Sequence, residues 1–294
     1  MKMRHLTAAL LAAAVLTIAW LPDVLAADML VKAPAMTPVA SAYSWTGFYV
    51  GANAGGGWGR SSTDVVFDPL PHTLVIDSAV GSASQAMNGG LGGLQAGYNW
   101  QASAFVFGLE TDIQVTGQKG DSKSNGTVTT LQVCLAPCVP PPPLVTTGKL
   151  DYAQKLPWFG TMRGRVGVTP ADGWLVYATG GLAFGEVTTE ANFNVPAGNF
   201  CLAPCTPAPS GSAASSFSQT RAGWVVGAGV EAAFGGGWSG KLEYLHLDLG
   251  SVSNSFTSTI HPFDGTFTAR SPVSDEIVRV GVNYRFGGAV VAKN

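Results

Sequence analysis

Apolar and polar side chains alternate along most of the chain beyond Trp45. In the final segment Val278, Val280, Val282, Tyr284 and Phe286 take one parity, and Arg279, Gly281, Asn283 and Arg285 take the other. Phe105, Phe107, Leu109, Thr111 and Ile113 likewise oppose Gly108, Glu110, Asp112 and Gln114. Leu94, Ala96, Tyr98 and Trp100 oppose Gln95, Gly97 and Asn99, and Trp224, Val226, Ala228 and Val230 oppose Gly227, Gly229 and Glu231. A period of two marks a strand with one apolar and one polar face. The pattern predicts eight strands, at 45–58, 90–101, 104–117, 155–169, 174–191, 220–234, 238–250 and 275–286. An even number of strands of this length fits an all-β, antiparallel up-and-down barrel.

The links between these segments alternate in length. Short ones fall at 102–103, 170–173 and 235–237, and long ones at 59–89, 118–154, 192–219 and 251–274. Transmembrane barrels have short periplasmic turns and long external loops. An N-terminus on the periplasmic side then puts every long link outside.

Face polarity separates a membrane barrel from a soluble one, because a lipocalin-type barrel is apolar inside whereas a membrane barrel reverses this. The polar faces here carry Glu110, Asp112, Arg163, Arg165, Glu231, Lys241, Glu243, Arg279 and Arg285, interspersed with glycine. Both signs of charge within one narrow lumen can satisfy each other away from bulk water. These nine residues are the expected lumen ion-pair network. Trp45, Trp58, Trp100, Trp158, Trp174, Trp224 and Trp238 lie at or near strand ends, where an interfacial aromatic belt would sit.

Composition and the N-terminus agree with export to a membrane. Lys2 and Arg4 precede an apolar run from Leu6 to Leu21, and Val24-Leu25-Ala26 precedes Ala27-Asp28. That order predicts a signal peptide over 1–26. A proline-containing leader without periodicity follows at 27–44, then the barrel at 45–286 and an extension at 287–294. Charged residues make up 12% of the chain, about half the soluble average. With 14 basic and 17 acidic residues after Ala26, the chain has no electrostatic footprint for nucleic acid.

Several short runs resemble a known family. Trp45-Thr46-Gly47-Phe48-Tyr49-Val50-Gly51, Gly97-Tyr98-Asn99-Trp100-Gln101, Phe107-Gly108-Leu109-Glu110-Thr111-Asp112-Ile113, Lys241-Leu242-Glu243-Tyr244 and the segment from Val278 to Phe286 are similar to the alphaproteobacterial outer-membrane β-barrel family, often called porin-like or outer-membrane immunogenic proteins. The resemblance implies an eight-stranded barrel similar to the membrane domain of outer-membrane protein A, located in the cell outer membrane, with a structural or permeability role. The family often ends on an aromatic residue, whereas Gly287-Gly288-Ala289-Val290-Val291-Ala292-Lys293-Asn294 follows Phe286 here.

Cysteine is the unusual chemistry. Cys134-Leu135-Ala136-Pro137-Cys138 and Cys201-Leu202-Ala203-Pro204-Cys205 repeat the same five residues in two long links. In an oxidising compartment Cys134, Cys138, Cys201 and Cys205 are disulfide candidates with three possible pairings. A zinc site of four thiolates is the less favoured reading, since CxxxC matches zinc spacing only loosely. Gly227-Ala228-Gly229-Val230-Glu231-Ala232 fits a dinucleotide pattern but leads into Gly235-Gly236-Gly237 instead of a helix, so no helix N-terminus awaits a phosphate. His72, His246 and His261 form no metal or hydrolase spacing.

The expectation is a structural outer-membrane barrel without enzymatic activity, metal or cofactor. A porin-like pore for small solutes is its weaker form, since eight strands leave an interior only just wide enough for side chains, and surface recognition or adhesion through the cysteine-containing links is the alternative. The expected partners are outer-membrane lipid and lipopolysaccharide and the barrel assembly machinery. A host or small-molecule ligand at the links stays unidentified.

Overall fold

The computed structural model describes residues 43–69, 75–80, 83–130, 144–195, 198–200, 206–208, 210–258 and 265–287. Every helix-or-strand element among them is a strand. They are β1 (Gly47–Pro69), β2 (Val75–Val80), β3 (Ala83–Ala102), β4 (Phe105–Thr130), β5 (Leu144–Val168), β6 (Trp174–Val195), β7 (Gly198–Phe200), β8 (Thr206–Ala208), β9 (Gly211–Gly235), β10 (Trp238–Ser258) and β11 (Gly265–Arg285).

Eight of these close a ring in the order β4-β3-β1-β11-β10-β9-β6-β5, sealed by pairing of β5 with β4. All neighbours are antiparallel. Around the charged and apolar lower part closure leaves no free edge, so the backbone groups are paired where water is excluded; farther out, the β9–β10 ladder ends at Trp224 and Asp248 and the β1–β3 ladder at Thr63 and Ala83. β2 pairs with β4 over 126–130, beyond the stretch of β4 that pairs with β3, and β7 and β8 form a separate two-stranded ribbon.

One end of the ring carries both chain ends of the barrel and all the short turns. Ser103 adopts φ 56°, and Gly235, Gly236 and Gly237 adopt φ 94°, 60° and 82°. Three successive left-handed residues are cheap only for glycine, which is why that tripeptide can connect β9 to β10 so tightly. Phe286 closes the same end by donating its N–H to the Phe48 carbonyl at 2.8 Å.

The strands are much longer than the sequence pattern suggested. The segments 59–69, 118–130, 144–154, 211–219, 251–258 and 265–274 were expected inside long links, yet they continue the ladder. The physical reason lies in β11. Near the short-turn end its outward side chains are apolar, namely Tyr284, Val282, Val280 and Val278. Beyond these they become Glu276, Ser274, Pro272, Arg270, Thr268 and Thr266, while the inward ones change from Asn283 and Arg279 to Val273, Ala269 and Phe267. In β1 the same crossing falls between Trp58 and Arg60. A strand whose polarity reverses halfway, through stretches rich in Ser, Thr and Asn, reads as a loop when its two halves are averaged.

The crossing delimits an apolar outer band. Its lipid-type face includes Leu94 (65% exposed), Leu109 (61%), Met162 (60%) and Val280 (58%). Trp100, Trp174 and Trp238 line the band near the short-turn end, and Trp58, Trp158 and Trp224 mark the far boundary in mid-strand. Trp45 departs from the expected belt. It is only 2% exposed and sits inside the barrel mouth.

Candidate functional site

The lumen is stacked in layers, each set by the inward parity of the strands. At the short-turn mouth Trp45 packs with Val106, Leu175 and Tyr177, against Tyr43. Its backbone N–H donates to Gln101 Oε1 at 2.7 Å, and the Gln101 N–H donates to Thr46 Oγ1 at 2.9 Å. The residues just before β1 are thereby folded into the opening.

Above this plug lies the charged layer. The ladder sets three opposite-charge pairs directly across from one another: Glu110 with Arg163, Glu231 with Lys241, and Glu243 with Arg279. Glu110 is the hub. It accepts from Lys241 Nζ at 2.9 and 3.1 Å, from Arg165 Nη1 at 3.4 Å, from Tyr49 Oη at 2.7 Å, and from Arg163 Nη2. Lys241 thus reaches across the lumen from its ladder partner Glu231 to Glu110. Arg163 also donates to Asp112 at 2.8 Å and to Glu243 at 3.1 Å. Arg279 donates to Glu243 at 2.7 Å and to Asp112 at 3.0 Å, and Arg165 donates to Glu231 at 2.7 Å.

Four carboxylates, Glu110, Asp112, Glu231 and Glu243, therefore face four cations, Arg163, Arg165, Lys241 and Arg279, and the layer is neutral. All eight are at least 95% buried. Neutrality matters because an unpaired charge in such a place is far costlier than a paired one.

Neutral side chains complete the satisfaction of the carboxylates. Tyr177 Oη donates to Glu243 at 3.0 Å, Thr161 Oγ1 to Asp112 at 2.8 Å, Ser239 Oγ to Glu231 at 2.6 Å, and Asn283 Nδ2 to Glu231 at 2.8 Å. Gln95 Nε2 donates to Asn283 Oδ1 at 2.6 Å, and Asn53 Nδ2 to Gln95 Oε1 at 2.9 Å. The Arg165 guanidinium lies 4.2 Å from the Tyr177 ring centroid, a cation–π contact. Charge alone does not pick out Tyr49 and Tyr177. The signal that finds them is their inward parity on β1 and β6.

Arg285 was expected in this network and lies outside it. At the last position of β11 it reaches the mouth, where its guanidinium stands 4.9 Å from the Tyr43 ring and donates to the Thr46 carbonyl at 3.2 Å. The strand ends too early for its side chain to look into the charged layer.

Beyond the eight-charge layer the lumen becomes mainly apolar, around a buried pair in which Gln118 Nε2 donates to Asp275 Oδ2. Leu91, Leu156, Phe159, Leu245, Leu247 and Ile277 fill one cross-section with at most 6% exposure. The glycines are part of this fit: a Cβ on inward Gly57 would meet Gln118 Nε2 at 1.8 Å and Asp275 Oδ2 at 2.7 Å. A polar layer follows, in which Thr63 and Tyr152 share Ser271 Oγ at 2.6 and 3.0 Å. Farthest out, Phe67, Phe193 and Phe267 pack with Val65, Leu150 and Ala269. Charges of both signs among glycines were expected as the lumen contents, and these apolar layers are what the sequence reading missed.

Of the other residues singled out, His246 faces outward at the band's far boundary with Nδ1 at 2.8 Å from Glu276 Oε1. The run 227–232 is part of β9 and leads through the glycine turn into β10. Cys134, Cys138, Cys201, Cys205, His72 and His261 lie outside the described residues.

Residues 24–286 match the family model described as the outer membrane protein beta-barrel domain. The chain is 35% identical over 273 residues to the 31 kDa outer-membrane immunogenic protein of Brucella melitensis, covering 89% of this chain and 93% of that one. It is 28% identical to the 22 kDa outer membrane protein of Rhizobium leguminosarum, covering 85% and 82%. Among solved structures, outer membrane protein OprG from Pseudomonas aeruginosa aligns over 83% of this chain and 97% of its own, with a TM-score of 0.41 and 13% identity.

Proposed function

This chain belongs to the outer membrane protein β-barrel family and resides in the outer membrane, and on that footing we propose that it is a structural, non-enzymatic barrel whose lumen is closed at rest. One observation carries the reading: a neutral network of four acids and four cations lies directly beneath a cross-section of leucine, isoleucine and phenylalanine. An ion entering from either side has to pass this mainly apolar, filled cross-section, and apolar constrictions gate conduction by excluding water. Eight strands leave room for side chains and little else. A porin-like pore for small solutes would need both layers to rearrange. In the proposed orientation the short-turn end faces the periplasm and the long links face outward.

Single-channel recording of the refolded full chain in planar bilayers tests this. The expected result is a quiet baseline at moderate voltage. Regular conductance steps from folded, heat-modifiable protein would replace the closed barrel with the porin-like one.

A second reading has support from strand length. β4, β5 and β9 run 25 or 26 residues, whereas a span needs about 10, so half the barrel stands clear of the apolar band. Such a column suits recognition or adhesion by the external segments, with disulfides among Cys134, Cys138, Cys201 and Cys205 fixing their shape. Removal of 131–143 and 201–205 with barrel folding retained, followed by a cell-binding comparison, separates this reading from a purely structural one. Cleavage after Ala26 is part of the same proposal and is checked by N-terminal sequencing of the envelope form.

A further inference from the structure

The outer wall of the barrel is not electrically uniform at the external edge of the apolar band. Trp58, Asn88, Lys119 and Lys155 form one unbroken row of cross-strand neighbours through β1, β3, β4 and β5. Arg60 is the next outward position after Trp58. Arg60, Lys119 and Lys155 are all exposed. Neighbouring strands lie about 4.8 Å apart, so the three cations span roughly 15 Å of wall. On the other side of Trp58, where the ring continues from β1 into β11 and β10, the outward residues at the corresponding level are Glu276, its direct cross-strand partner, with His246 and Asp248 beyond.

Two local features distinguish this arc. Lys119 and Lys155 face each other directly across the β4–β5 ladder, and like charges in that relation repel. Lys155 is relieved by Glu190 at 2.6 Å, whereas Arg60 and Lys119 have no ion pair among the described residues. The ladder is also broken to create the arrangement. Pro157 has no N–H to donate, and the register shifts between Lys155 and Trp158. The shift changes the parity of β5, so that Lys155 and Trp158 both turn outward.

Directly beneath the arc the apolar wall is smooth. Outward Gly56, Gly90, Gly92 and Gly117 present no side chain, and a Cβ on each would find its nearest atom 3.7–3.9 Å away. Leu94, Ile113 and Val115 flank this trough with 55–69% exposure. Tryptophan marks the interface depth of a bilayer, so Lys119 and Lys155 in the cross-strand row of Trp58, and Arg60 one outward position beyond it, stand at headgroup level.

We propose that this wall is a docking site for a phosphate-bearing lipid of the outer leaflet, with its acyl chains along the glycine trough and its phosphate on Arg60, Lys119 and Lys155. The charge difference between the two sides of Trp58 puts the lipid on the β1–β5 side. No bond is made or broken in this association.

The test is native mass spectrometry of the full chain refolded in detergent, with phosphatidic acid and phosphatidylcholine of matched chains as probes. Each cation beside an anionic surface is worth about a fivefold change in partition. The wild type should retain phosphatidic acid over phosphatidylcholine by more than about tenfold. The combined Arg60→Gln, Lys119→Gln and Lys155→Gln variant should lose that preference, and Lys149→Gln, farther out on β5, should keep it. Inorganic phosphate at millimolar concentration should not displace the lipid. Heat-dependent gel migration confirms folding of each variant, and if the triple variant fails it, Lys119→Gln alone should show about a fivefold loss. Equal preference in wild type and folded variant, equal loss in Lys149→Gln, or displacement by inorganic phosphate would each overturn the proposal. None of these results depends on whether the lumen conducts.

Discussion

Replacing Glu110 by glutamine removes the hub of the lumen network while keeping its size. The carboxylate accepts from Lys241, Arg165, Tyr49 and Arg163, and its loss leaves three buried acids against four buried cations. Breaking a buried ion pair from one side costs about 3–5 kcal/mol, because the surviving charge stays desolvated. Set against the roughly 5–15 kcal/mol that usually holds a domain, that is about a fifth or more of the total. Lys241→Met in the same background restores balance at three against three and should recover at least half of the loss. Urea titration of the refolded protein in lipid vesicles, followed by tryptophan emission and by heat-dependent gel migration, gives each free energy. The reasoning requires an unchanged slope, since the surface exposed on unfolding is the same. A Glu110→Gln penalty below about 1 kcal/mol, or a double variant as unstable as the two single losses added together, would show that charge balance does not hold the layer.

Two further outcomes follow from the layering. Val280→Arg and Ser274→Arg lie on one face of one strand, on either side of the polarity crossing, so the first should cost about 2–4 kcal/mol in a vesicle folding titration and the second no more than about 0.5 kcal/mol; similar penalties would misplace the band. Trp45→Ala should lower stability by about 3–5 kcal/mol as a buried large-to-small change, whereas an interfacial belt residue would give a much smaller change in urea midpoint.

The strand count, the alternation of short and long links and eight of the nine network residues were legible because each rests on local periodicity. Glu110, Asp112, Arg163, Arg165, Glu231, Lys241, Glu243 and Arg279 share inward parity within the apolar band, and parity is a property of neighbours along the chain. Which acid meets which base was not legible: Lys241 to Glu110 crosses the lumen, and its geometry depends on how the sheet closes. Arg285 shares the same parity and misses the layer through its position at the strand end. Trp45 has the composition of a belt residue and becomes a plug only because the segment before β1 turns into the mouth. The outer halves of the strands escaped for a different reason. Outside lipid, the rule linking inward with polar reverses, and Val65, Phe67 and Phe267 obey the soluble version of it.

The continuation of the strands past Trp58 also sets a height. β1 runs eleven residues farther, to Pro69, and at about 3.3 Å per residue with a tilt of about 40° this raises its tip roughly 25–30 Å above the bilayer edge. Whatever the external segments touch, they touch it from the top of a stiff turret. A flexible tether of equal length would wander and surrender orientation on every encounter. The turret has spent that entropy in folding, so contact at its summit is made at fixed reach and fixed bearing.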